Sequence, residues 1–142
     1  MMNTEYQYSN TGIGAAAAIE FIKEKGNVVI VGRNEHKLND TLDRCTKFGK
    51  IPFVVIADIS KDEEAKRVVE ETIGKFGISD VLVNNAGFVK YGTILSETKM
   101  STKNNLRAKS LAAQYLIKVK GTIINISSVA GKFVPKYVSG SM

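Results

Sequence analysis

The sequence predicts an α/β domain built on a doubly wound parallel sheet. Three observations carry this. Four short apolar runs, Val28–Val31, Phe53–Ala57, Val81–Val83 and Ile123–Ile126, are continuous rather than alternating, as strands covered on both faces are. Helix-length segments lie between them, the alternation expected of βαβ units. A Gly12-Ile13-Gly14 turn opens an alanine-rich segment, a strand-to-helix junction in which a backbone can approach a ligand closely.

The elements follow in order. Ala15, Ala18, Ile19 and Ile22 form one helical stripe that ends near Gly26, a good C-terminal signal. The run Val28–Val31 ends in Gly32-Arg33-Asn34. Leu38, Leu42 and Cys45 give a shorter stripe before Gly49, and Phe53–Ala57 follows Pro52. The next helix opens at Ser60-Lys61-Asp62-Glu63, with Ser60 expected to cap it and Glu63 to answer three residues later. Its stripe, Ala65, Val68, Val69, Thr72, Ile73 and Phe76, ends near Gly77. Val81–Val83 delivers Asn84-Asn85-Ala86-Gly87 at its carboxyl end. Residues 88–121 are less regular: Asn105-Leu106-Arg107-Ala108 opens a helix and Tyr115-Leu116-Ile117 is apolar, while Lys109 and Ser110 interrupt the stripe. No repeat or linker divides the chain, so residues 1–142 are expected to be one domain.

Composition sets the outer limits. The 142 residues are 44% apolar and 24% charged with a net charge of +6, ordinary for a globular protein with a real core. The 20 lysines and arginines are spread along helices and loops without a run of like charge, so nucleic acid is not expected as a partner. Cys45 is the one cysteine; its register with Leu38 and Leu42 makes it a core residue. The first residues, Met1 to Glu5, lack the basic start and apolar region of a signal peptide. No apolar stretch approaches the ~20 residues of a membrane span. The expectation is a cytoplasmic protein with no membrane partner and no metal.

Several residues carry candidate chemistry. Gly12 and Gly14 before a helix suit a pyrophosphate, and on their own read more readily as a plain strand-to-helix turn. Arg33 stands after an apolar run with no acid at the strand end; it reads either as a grip on a 2′-phosphate or as a solvated loop arginine. Asp58, Asn105 and Ser128 read on their own as turn or cap residues.

Taken together, Thr11-Gly12-Ile13-Gly14, Asn84-Asn85-Ala86-Gly87 and Asn125-Ile126-Ser127-Ser128 resemble the short-chain dehydrogenase/reductase family. The resemblance implies a Rossmann-like domain and an oxidoreductase acting on a carbonyl or secondary alcohol. It implies cofactor contacts from Gly12, Ile13, Gly14, Arg33, Asp58, Asn85, Ala86 and Gly87. Gly32-Arg33 points to NADP rather than NAD. It implies Ser128 as the residue that holds the carbonyl oxygen and Asn105 as the support of a water chain.

The family's tyrosine acid and its lysine four residues on have no counterpart after Ser128: Tyr137 lies too close and is followed at that distance by Ser141. The family's first strand, central in its sheet, would fall on the polar segment Met1–Tyr6 and is expected to be degenerate, with the C-terminal strands absent. The chain is thus expected to be a partial dinucleotide-binding domain, marginally folded or oligomeric, and inactive as written. The alternatives are a non-catalytic nucleotide-binding or interaction module, alone or paired with a complete relative, and a relic or incomplete gene product.

Overall fold

The computed structural model describes residues 3–7, 12–85 and 112–126. Five parallel strands form one sheet: β1 (Asn3–Gln7), β2 (Asn27–Gly32), β3 (Phe53–Ile56), β4 (Val81–Asn84) and β5 (Thr122–Asn125). Their order is β3-β2-β1-β4-β5. The connections contain α1 (Ile13–Lys23), α2 (Glu35–Thr46) and α3 (Asp62–Phe76), and residues 112–119 are helical (α4). All four apolar runs are strands, and α/β with a parallel sheet is the observed class.

The first strand corrects an expectation. Residues 3–7, polar in sequence, occupy the centre of the sheet. Thr4 pairs with Val28 on one side and Val81 on the other, and Gln7 with Val31 and Asn84. A ladder is made by backbone groups, and strand preference depends on neighbours more than on intrinsic propensity. The backbones of β2 and β4 offer two facing ladders, and closing them outweighs the poor apolar content of the segment.

The alternating residues of β2 reach two different layers. Val28 and Ile30 join Val81 and Val83 under Ala15, Ala18, Ile19 and Ile22 of α1 and Leu38 and Cys45 of α2. Val29 and Val31 face the other way, with Val55, Ala57 and Val68 of α3. On that second side Leu82 also packs with Val69, Ala112 and Leu116. The i, i+4 pair in α4 thus supplies the stripe that its flanking sequence obscured.

Two local details differ from expectation. Ser60 does not cap α3: its N-cap is Lys61, with no side-chain cap bond. Instead the backbone N–H of Ser60 donates to Asp58 Oδ1 at 3.1 Å, and that of Asp58 to Glu64 Oε2 at 2.6 Å. The acidic first turn of α3, Asp62 to Glu64, thus ties the helix to the end of β3 while favouring the positive end of its dipole. β5, read as covered on both faces, is exposed along its whole length; among the described residues it pairs only with β4.

Candidate functional site

Parallel strands put all their carboxyl ends on one edge of the sheet. The chain leaves β1 for β2 on one side, and after β3 returns to β4 on the other side of β1. In such sheets that reversal marks the crevice in which ligands usually bind, here at the carboxyl ends of β1 and β4.

Gly12 stands at the mouth of this crevice, where the chain enters α1. Its backbone has φ 69°, a left-handed value that side chains resist. A Cβ built there would meet nothing within 4 Å, so the requirement is conformational and the space beside it is open. Ile13 begins the helix with 61% of its surface exposed, and Gly14 is buried behind it. The first turn of α1 carries no acidic residue and no side-chain cap. Among the described residues its N–H groups and dipole therefore meet no built-in anion.

Next along the edge, Gly32 closes β2 and its carbonyl accepts from Ala57 N–H at 2.9 Å. Arg33 follows, exposed. Asn34 then caps α2, its Oδ1 accepting from Lys37 N–H at 3.0 Å. Asp58, half-buried beyond β3, is held below the ordinary carboxylate range, first by its hydrogen bonds from Ser60. Burial works against this, while the nearby charges of Arg33 and Lys61 assist it. Arg33 and Asp58 thus share one electrostatic neighbourhood at the ends of β2 and β3, with a cation available and no acid at the end of β2.

On the far side of the crevice, β4 ends in buried Asn84 and half-buried Asn85. Asn84 Nδ2 donates to Asn125 Oδ1 at 3.0 Å, and the two residues share a register position. This amide bridge locks the ends of β4 and β5. Asn84 Oδ1 is buried with no partner among the described residues. Sequence reading selected Asn85 and passed over Asn84, because the bridging asparagine lies 41 residues away and only the sheet brings it near.

Gly12, Ile13, Gly14, Arg33, Asp58 and Asn85 therefore lie along one edge. Ala86, Gly87, Asn105 and Ser128 lie outside the described residues, as does Tyr137. Cys45 is buried in the core on the α1 side, where burial pushes its thiol above the ordinary value against a lowering by Arg44; a buried thiol raised in this way is inert. Among the described residues no group of acids, cysteines and histidines could hold a metal ion.

The family model described as short chain dehydrogenase matches residues 9–140. The 11-beta-hydroxysteroid dehydrogenase-like 4A of Arabidopsis thaliana is 36% identical over 133 residues, covering 87% of this chain and 44% of that protein. The L-sorbose reductase of Gluconobacter frateurii, solved with NADPH and L-sorbose, superposes with a TM-score of 0.81 at 27% identity, over 91% of this chain and 53% of that one. An NADH-dependent reductase solved with NAD has the same TM-score, 0.81, at 22% identity over 92% and 61%, a likeness of fold alone. The chain spans about half the length of the curated relatives it matches.

Proposed function

Because the chain belongs to the short-chain dehydrogenase family, we propose that these residues form the cofactor half of an NADP(H)-dependent oxidoreductase site for a carbonyl or secondary alcohol. The observation that carries the reading is the edge itself. Open space at Gly12 and an uncapped helix start suit a pyrophosphate. Arg33, with no acid at the end of β2, suits a 2′-phosphate. Asp58 would meet the adenine, and Ile13, Gly14 and Asn85 with Ala86 and Gly87 would line the path toward the nicotinamide. When bound, the nicotinamide supplies or accepts the hydride. The chain's residues orient the cofactor and, at Ser128 and Asn105, would hold the carbonyl oxygen and a water chain. The working compartment is the cytoplasm, and residues 1–142 act as one domain, free to associate with a second copy or a complete relative.

The test is cofactor binding by calorimetry or NADPH fluorescence. NADPH should bind more tightly than NADH. Arg33→Asp should weaken NADPH about ten- to hundredfold, the value of charge-assisted hydrogen bonds, and leave NADH little changed. Equal affinities, or an indifferent Arg33→Asp, would reject the cofactor assignment.

A second reading rests on Gly140, which stands about where the resemblance puts the tyrosine acid and has no side chain to supply a proton. In this reading the 142 residues bind the cofactor without turning it over. General acid–base help is worth typically ~100- to 10,000-fold, and serine alone cannot supply the proton near neutral pH. NADPH oxidation against a panel of aldehydes and ketones should stay at background. Turnover that disappears in Ser128→Ala would overturn the inactive reading, and Tyr137→Phe would then test Tyr137 as the acid.

A further inference from the structure

The opposite edge of the sheet, at the amino ends of β2 and β3, carries a surface that cofactor chemistry does not use. Its centre is the connection from α2 to β3. Here Phe48 is 48% exposed and Ile51 79% exposed, on either side of Gly49, whose φ is 90°. Large apolar side chains so exposed on a short turn call for a reason. Cations surround them. Lys23 Nζ lies 5.0 Å from the Phe48 ring centre. Lys23, Arg44 and Lys47 line one groove of about 370 Å³ with Ala16, Ile19 and Phe48. Lys50 reaches across to the carbonyl of Lys25 and to Asn27 Oδ1, which brings Lys25 to the same side.

The acids of these two segments are fewer. Glu20 lies in the groove and is held by Lys23 at 2.7 Å; Glu24 and Asp43 are the others, and residues 44–52 contain none. The sequence showed no basic stripe because the five cations come from two separate segments that the sheet places side by side.

We propose that this face docks on an anionic phospholipid surface, with Phe48 and Ile51 entering the headgroup boundary, Lys25, Arg44 and Lys47 meeting the phosphates, and Lys23 and Lys50 adding positive charge beside them. Paired apolar insertion and cationic attraction are what peripheral binding requires. An acidic peptide would use the groove, but Ile51, the most exposed of these apolar side chains, is not part of the groove lining. A planar surface engages both. No helix among the described residues is long and apolar enough to cross a membrane, so the attachment is lateral. Because β2 and β3 run away from this face, docking leaves their carboxyl ends, with Arg33 and Asp58, turned toward water.

The chain has no tryptophan, so Phe48→Trp places a single reporter at the turn. With vesicles of phosphatidylcholine plus about one third phosphatidylserine, its emission should shift to the blue and be quenched by brominated acyl chains. With phosphatidylcholine alone it should not change. Arg44→Glu with Lys47→Glu should weaken vesicle co-sedimentation about tenfold or more. A charge-matched pair on the other side of the sheet, Lys66→Glu with Lys118→Glu, should bind as before; circular dichroism checks folding of each. An unshifted tryptophan on the anionic vesicles overturns the proposal. So does an equal loss in the control pair, which would mean attraction by net charge alone. Binding of polyglutamate with the tryptophan still quenchable from water would assign the face to an acidic peptide instead.

Discussion

Gly121 has no room for a methyl group. A Cβ there would stand 2.7 Å from the carbonyl oxygen of Asp80 and 2.7 Å from Leu116 Cδ2, against the backbone where Thr122 N–H donates to Asp80 O. Leu116 can shift, but the Asp80 carbonyl cannot without breaking the start of β5. Gly121→Ala should cost about 1–3 kcal/mol, the usual range for overpacking, read from urea denaturation. The carboxylates of Asp58 and Glu64 give a pH dependence. Both are lowered, Glu64 first by the Asp58 N–H and then by Lys61. A lowered group stabilises the fold above its unfolded value and loses that contribution as pH falls through the folded value. Stability should therefore decline below about pH 4, and less steeply in Glu64→Gln, followed by thermal unfolding across an acidic pH series. Arg33 and Asp58 could be singled out in the sequence because each stands just past an apolar run. The Asp58–Glu64 bond could not, because Ser60 and Glu63 offered a more familiar cap with equally good spacing.

At the level of elements, the most instructive is β1. Its neighbours at the position of Glu5 are Val29 and Leu82, both completely buried. Glu5→Val should raise stability by roughly 0.5–1 kcal/mol on the scale of strand preferences, measured by chemical denaturation; a loss would mean that β1 does not pair as described. Asn34 offers the reverse test, since its side chain caps α2 through Lys37 N–H. Asn34→Ala should cost about 1 kcal/mol without altering cofactor preference, which separates it from its neighbour Arg33. The helices were legible by their stripes: Leu38 and Cys45 are fully buried, as are Ala65 and Val68. β1 was not, because apolar periodicity reports burial, whereas a strand lying between two partners is held by its ladders.

For the whole molecule, the two edges of the sheet are finished differently. At β3, Arg67 Nη2 donates to the Ile56 carbonyl at 2.8 Å. Lys75 sits 4.4 Å from the Phe53 ring centre, and Phe76 packs edge-on against that ring at 6.4 Å. A cation on an outer carbonyl and another over the flanking ring are devices that keep foreign strands away. At β5, Ile123 is 39% exposed and Ile124 36%, with no comparable guard among the described residues. Exposed apolar edges recruit other chains. Sedimentation should show association rising with concentration, and Ile124→Lys should reduce it; a concentration-independent monomer would mean that the β5 edge is covered. The parallel sheet was legible from the alternation of strands and helices. The contrast between its edges was not, because Arg67 and Ile56 meet only after α3 folds back on β3.

The central position of β1 also sets a schedule. Thr4 pairs with Val28 and with Val81, so the strand made earliest among those described gains its second neighbour only after β2, β3 and three helices have been synthesised. At roughly 5–20 residues per second, that wait on the ribosome lasts several seconds. Throughout it one side of the future centre stays open, and the guard of the β3 edge is completed only near its end, when Lys75 and Phe76 of α3 have been made. Translation pauses placed before Val81 would prolong that interval, and pauses placed after Asn84 would not.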